Sequence, residues 1–406
     1  MRYLFNILVT AVTAASALTA CTKLTNFQCQ QDSSCNLSGG GVCAAAPTGN
    51  SWCAYPDPGC PNGYRYSTVG VGDGVSGGCV PEPNAKIDAG LDAGPPPPAS
   101  CIALPHTCGV AGNDNCCNSP VVSGGRYFRS YDVVNDSLSG DMNSPATISS
   151  FRLDKYEVTV GRLRAFVADG QGTQAKHPAT GAGAHVNIPG SGWEESWNAN
   201  LSADTATLVS NVECDPEANT VQTWTDVPGS NENRPINCVT WYEAMAFCAW
   251  DGGFLPSEAE WDYAAAGGDQ QRAYPWSTPQ DPLEIDVSRA SYAIYDNASL
   301  MFQCLANGMP DCSITDIVPV GTLSAGDGRW GQSDLGGNMM EWTLDWYAAY
   351  RVPCEDCANL SVSSHRVFRG GSYHGDKTDI RETLRPSDLP IYRRADVGFR
   401  CARSSP

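Results

Sequence analysis

The chain has 406 residues, 17% of them charged, and a formal net charge of −19. That balance excludes a nucleic-acid partner, because neutralising a phosphate backbone takes a basic surface. The length allows one sizeable domain with smaller modules, and acidity otherwise speaks to solubility more than to function.

Residues 1–20, "MRYLFNILVTAVTAASALTA", form a targeting segment with Arg2 at its positive end and an apolar run from Leu4 to Leu18, so they lie outside any fold reasoning. "LTAC" at 18–21 resembles the lipobox of bacterial lipoproteins. The resemblance implies cleavage before Cys21 and lipid on its thiol and amine; the alternative is an ordinary secretory signal beside an incidental cysteine. Several acyl chains anchor a protein stably, and no other run is long and apolar enough to span a bilayer. The expectation is a lipid-anchored, extracytoplasmic protein of the cell envelope, on the outer membrane or the cell surface.

Setting Cys21 aside from the 19 cysteines leaves eighteen, an even number in an oxidising compartment, which favours disulfides. Residues 21–82 are rich in Gly, Ser and Cys and poor in aliphatic side chains. They read as a small disulfide-stapled module, for binding or as a spacer. Residues 83–100, "PNAKIDAGLDAGPPPPAS", are a linker whose proline run favours an extended chain of about 3.1 Å per residue. Composition turns globular over 101–406. Cys116 and Cys117 are adjacent and would strain a mutual bond, so each is expected to pair elsewhere.

Three helices can be placed there. The first spans 159–170, capped by Thr159, burying Leu163, Phe166 and Val167 and stopped by Gly170. The second, 240–253, opens on the capping box Thr240/Glu243, with Trp241, Met245 and Cys248 on one face. The third, 257–268, repeats the device with Ser257 and Glu260. Short strands and long glycine-rich loops make up the rest.

In order, the chain carries "FRLDKYEVTVGRLRAFV", "RPINCVTWYEAMAFCAWDGGFLPSEAEWDYAAAGG", "YPWS", "PVGTLSAGDGRWGQSDLGGNMMEWTLDWY", "RVFRGGSY" and "DVGFRCAR". This succession resembles the formylglycine-generating-enzyme, or sulfatase-modifying-factor, family over roughly residues 120–403. The resemblance implies a compact α+β fold with little regular secondary structure, distantly like C-type lectins. It also implies, for the founding members, copper and oxygen chemistry that converts a sulfatase cysteine to formylglycine. Copper(I) is a soft ion that needs paired thiolates. In the oxidases the two cysteines follow the Arg-Gly-Gly-Ser-aromatic stretch, at positions that fall here on Gly375 and Ile380. Neither can ligate copper through a side chain, so copper is not expected. His374 and Asp376 flank the vacant position and could serve a harder metal, or be ordinary loop residues.

The resemblance further implies a disulfide between Cys248 and Cys401, while a second family disulfide falls on Ala265 and Arg385. "DLGGNMMEW" (334–342) resembles the family's calcium loop, which gives the side chains of Asp334 and Glu341 and the carbonyls of Gly337 and Met339 as ligands of a structural calcium. "CEDC" (354–357) reads as a disulfide pair sooner than as a metal or redox site, and His177 and His185 lack assignable co-ligands.

The functional expectation is a membrane-anchored lipoprotein whose family-type domain lacks copper oxidase activity and acts as a binding or structural module for a peptide, protein or glycan. Two alternatives stay open. One is a formylglycine-generating oxidase with rearranged thiols, for instance Cys354 and Cys357; the other is different chemistry in the same cleft through His374, Asp376 or Asp379.

Overall fold

The computed structural model describes residues 42–45, 51–57, 64–67, 97–214, 221–278, 280–296, 301–309 and 312–405. The signal segment, Cys21 and most of the linker lie outside the described residues. The chain divides into two compact units between Pro95 and Pro96, within the stretch expected to be a linker.

In the first unit, β1 (Val42–Ala45), β2 (Ser51–Pro56) and β3 (Tyr64–Tyr66) pair antiparallel in that order. Trp52, Ala54 and Tyr66 bury together. So small an apolar cluster cannot alone offset chain entropy, and Cys53 is disulfide-bonded.

The second unit begins its strands with β4 (Val121–Val122), β5 (Gly125–Phe128), β6 (Pro145–Ile148) and β7 (Phe151–Leu153). Helix α1 (Val160–Ala168) starts where the Thr159 side chain accepts from Arg162 N–H, and it buries Leu163, Phe166 and Val167 as expected. Helix α2 (Thr205–Val212) escapes the sequence reading. It is capped by Asp204 and buries only Leu208 and Val212, too few apolar residues to register as a period. Both expected capping boxes form, at the starts of α3 (Trp241–Trp250) and α4 (Glu258–Ala265). Sequence spacing gave α3 one buried face; in the structure Trp241 through Cys248 are all buried, because the helix runs through the middle of the core.

The remaining strands are β8 (Ala293–Asp296), β9 (Met301–Cys304), β10 (Met340–Trp346), β11 (Cys354–Glu355), β12 (Arg366–Arg369), β13 (Ser387–Asp388), β14 (Val397–Gly398) and β15 (Ala402–Ser404). The largest sheet has the order β13-β12-β10-β14; smaller ones have the orders β11-β6-β5 and β15-β7-β4, and β8 and β9 form a hairpin. The core lies between α3 and the large sheet, where Trp342 meets Phe368 edge-on at 5.2 Å and Phe247 meets Phe399 at 5.3 Å. Cys248 of α3 is bonded to Cys401 across a sequence separation of 153, as the resemblance implied. Cys116 and Cys117 pair with Cys108 and Cys101.

One ion cluster is deeply set. Arg162 donates to Asp154 at 2.9 Å and to Asp251 at 2.6 Å, all three side chains without solvent exposure, and Arg403 reaches the same two carboxylates. Removing one member of such a cluster strands charge in a medium that cannot solvate it. Arg162→Ala is therefore expected to lose about 3–5 kcal/mol of unfolding free energy in urea titration, whereas an exposed control such as Arg126→Ala stays within about 0.5 kcal/mol.

Candidate functional site

The stretch "RGGSYH" leaves β12 at Arg369 and bends through Gly370 and Gly371, at φ 102° and 67°. Glycine is required at 371 twice over: the backbone is left-handed, and a Cβ would come within 2.8 Å of the Ile380 Cα. The chain then passes between two neighbours. Tyr373 N–H donates to Asn338 O at 2.9 Å, and Ala293 N–H of β8 donates to Gly375 O at 2.7 Å.

Beside this stretch opens a cleft of about 530 Å³. Met340 and Phe368 line it from the large sheet, Ser372, His374, Gly375 and Asp379 from the glycine bend, and Leu384, Arg385, Pro386 and Ser387 from the segment entering β13. Arg394 and Asp396 complete the rim. Its charges are balanced in place. Arg394 pairs with Asp396 at 2.9 Å and Asp388 at 3.0 Å. Arg385 donates to Glu258 Oε2 at 2.6 Å, with its guanidinium 4.7 and 4.5 Å from the Tyr347 and Tyr350 ring centres. Burial pushes the Glu258 carboxyl up, but Arg369 and Arg385 outweigh burial and hold it below its ordinary value. Asp379 is shifted the other way, raised by burial against the opposing hydrogen bond from Asp376 N–H.

One strand that contributes to the cleft lining has an unpaired backbone edge. In the β12–β13 pairing, Val367 stands opposite Ser387, and Phe368 N–H donates to Pro386 O at 3.1 Å. That pattern makes 367/387 a non-hydrogen-bonded pair, so the N–H and C=O of Ser387, a cleft-lining residue, point away from β12. β13 is the outer strand of its sheet. The sequence signal was available: Pro386 and Pro390 bracket the strand, and proline within a sheet is confined to edges.

The residues singled out from the sequence separate. Gly375 and exposed His374 reach the cleft. Asp376 serves its own loop instead, accepting from Thr378 N–H at 2.6 Å and Thr378 Oγ at 2.5 Å. Ile380 turns inward, 1% exposed, and packs with Tyr274, Ala290 and Tyr292. Cys354, on β11, is bonded to Cys357 just beyond it, and both lie outside the cleft lining. All twelve cysteines from Cys101 onward are paired, the remaining bonds being Cys214–Cys238 and Cys304–Cys312. So many disulfides belong to an oxidising, extracytoplasmic environment, and among the described residues no helix is long and apolar enough to cross a membrane.

At the expected calcium loop, Asp334 sits at φ 58° and accepts from Gly321 N–H at 2.6 Å. Glu341 accepts from Arg400 Nε and Nη2, both at 2.7 Å, and from Trp261 Nε1 at 2.8 Å. Glu157 joins them, taking Met339 N–H at 3.0 Å and Asn338 Nδ2 at 2.8 Å. Burial, reinforced by Asp334 and Glu341, raises Glu157 well above its ordinary value; burial first, and then Asp327 and Glu341, push Asp334 up to about 6. Carboxylate and carbonyl oxygens at a buried excess of negative charge are the right donors for calcium. Among the described residues no three His, Cys, Asp or Glu side chains converge to hold a metal, so an ion here would lean on the carbonyls.

Residues 112–405 match the sulfatase-modifying factor enzyme 1-like domain. The chain belongs to that family. A formylglycine-generating enzyme of Thermomonospora curvata is 27% identical over 308 residues, covering 68% of this chain and 91% of the relative. A hercynine oxygenase of Mycolicibacterium smegmatis is 28% identical over 330 residues, covering 77% of this chain and 66%, just under two thirds, of that relative. The solved structure of PvdO from Pseudomonas aeruginosa aligns with a TM-score of 0.46 at 20% identity, over 70% of this chain and 93% of PvdO. The expected α+β fold with little regular structure is the fold of this domain.

Alkylation of the denatured but unreduced chain, followed by peptide mapping, is expected to label no cysteine from Cys101 onward, and to label all of them after reduction. A labelled pair near the cleft would return the oxidase alternative.

Proposed function

We propose that this chain is a lipid-anchored, extracytoplasmic binding protein, tethered at Cys21, whose sulfatase-modifying-factor domain holds an extended peptide in the cleft and carries no copper oxidase activity. The complete pairing of the domain's cysteines is the observation that carries this reading. Copper(I) would need two thiolates at the cleft, where Gly375 supplies none and Ile380 faces the core. A peptide is favoured over a glycan for two reasons. The Ser387 edge offers one N–H and one C=O for strand addition, and Phe368, the cleft's aromatic lining residue, is 2% exposed and has no open ring face for a sugar.

The test uses the full mature chain. Titration with copper(I) in the presence of a cysteine-containing sulfatase peptide is expected to give neither thiolate-to-copper absorption nor oxygen uptake; both together would overturn the reading. A parallel array of extended peptides and glycans is expected to show saturable peptide binding, weakened about fivefold by Ser387→Pro, which removes the outward N–H. Binding of glycans alone would sink the peptide assignment.

A structural calcium held by Asp334, Glu341 and the carbonyls of Gly337 and Met339 belongs to the same proposal; it would offset the buried negative charge that Arg400 alone does not balance. Calcium is then expected to raise Tm, chelation to lower it by several degrees, and Asp334→Ala to abolish the response. An unchanged Tm on chelation would remove calcium from the account.

A further inference from the structure

Glu382 lies between Ile380 and the cleft wall that starts at Leu384, and it is 1% exposed. Neither of its carboxyl oxygens receives a hydrogen bond from a protein donor. Asp262 of α4, fully buried, is within hydrogen-bonding reach of it. The Oδ1 of Asp262 also lacks a donor, while its Oδ2 takes Ser130 N–H at 3.2 Å and lies 3.2 Å from the Tyr127 hydroxyl. Two ionised carboxylates facing each other in a protein interior repel, and each also forgoes its solvation. A single proton between them turns the repulsion into a hydrogen bond.

The charged groups around the pair cannot do the proton's work. From β12, Arg369 has Nη1 on the Glu382 and Leu384 carbonyls, at 2.6 and 2.9 Å, and comes no closer than 3.6 Å to Asp262 Oδ1. Its Nη2 is committed to Glu258 of α4 at 2.6 Å and to the Tyr350 hydroxyl at 2.7 Å. Arg381, next in sequence to Glu382, is turned to Asp132 and Asp136, and Arg385 to Glu258. Asp132 adds a further negative charge facing Glu382.

We propose that Glu382 is protonated in the folded protein and donates to Asp262 Oδ1, and that this acid pair is a pH-sensitive latch on the cleft wall. Burial first, and then Asp262, hold the Glu382 carboxyl well above its ordinary value of 4.5. The sign follows from linkage. The folded chain keeps a proton that the unfolded chain releases, so the stabilisation is complete below the ordinary carboxyl range and is lost as pH rises toward the folded value. When the proton leaves, Glu382 is repelled from α4, and it takes with it the segment whose carbonyls Arg369 grips. Leu384, Arg385, Pro386 and Ser387 follow directly in the chain, so the same step loosens the wall of the cleft. This inference does not depend on what the cleft binds.

Hydrogen exchange of the full chain, corrected for the intrinsic effect of pH, distinguishes the latch from general alkaline softening. Between about pH 5 and about pH 9, protection is expected to fall over 380–387 and to hold over α3. Over the same range the wild-type Tm falls. Glu382→Gln places an amide donor where the proton was, so it is expected to keep 380–387 protected at the alkaline end and to lessen the fall in Tm. Some fall remains, because Asp345, raised by burial and then by Glu258 to about 7, contributes its own. Asp262→Asn gives a second route to the same result, by removing the opposing charge. Equal loss of protection in wild type and either folded variant, or unchanged protection of 380–387 in wild type, would overturn the latch.

Discussion

The guanidinium of Arg369 is the point on which the site depends. It has no solvent exposure, and it sits where strand β12 is about to become the glycine bend. Its nitrogens tie that strand to Glu258 at the start of α4, to the Tyr350 hydroxyl and to two carbonyls of the segment leading into β13. A cation in that position is expensive to desolvate, and the cost is met only because Glu258 stands opposite with Arg385 sharing it. Both walls of the cleft thus take their positions from one buried charge network. The bend of glycines on one side and the strand edge on the other are its consequences in the backbone.

The disulfides do a different job from this network. Cys248–Cys401 joins the core helix to the end of the chain and restrains the unfolded state through a very long loop. Cys304–Cys312 acts locally: Cys304 Sγ lies 3.0 Å from the Tyr373 carbonyl oxygen, so it supports the β8–β9 hairpin against the back of the glycine bend. A fold with short strands and long connections has few ladder hydrogen bonds with which to fix its loops, and covalent ties substitute for them. Sulfur that is committed to scaffolding is withdrawn from redox and copper chemistry.

Much of the helical frame was legible in the sequence because its signals are local. The cap at Thr159 and the capping boxes at Thr240/Glu243 and Ser257/Glu260 each need only residues three apart, and all three formed. The ordered motifs carried the family, and with it the Cys248–Cys401 bond. What stayed hidden depends on contacts far apart in the chain. Arg369 meets Glu258 across 111 residues, and no spacing rule announces it. The outward edge at Ser387 follows from its register with Val367, which sequence does not fix. Asp376 and Asp379 look interchangeable in "GDKTD", yet one closes its own turn while the other lines the cleft. The acid pair Glu382–Asp262 is of the same kind, invisible until α4 and the cleft wall are packed together.

The geometry around positions 375 and 380 leaves little room for a pair of thiolates. At position 375 a Cβ would stand 3.1 Å from the Asp379 Cβ, tighter than an ordinary contact, so the space a cysteine would need is already shared. At 380 the isoleucine is part of an apolar cluster with Tyr274, Ala290 and Tyr292, and burying such a side chain contributes about 1.5–3 kcal/mol. A reactive pair of thiolates would face a cleft and carry charge; Gly375 lines the cleft but offers no side chain, and Ile380 is packed in a core. The bend, the cleft and the charge network beneath them rest on Arg369 and the glycines and need no thiol at either position.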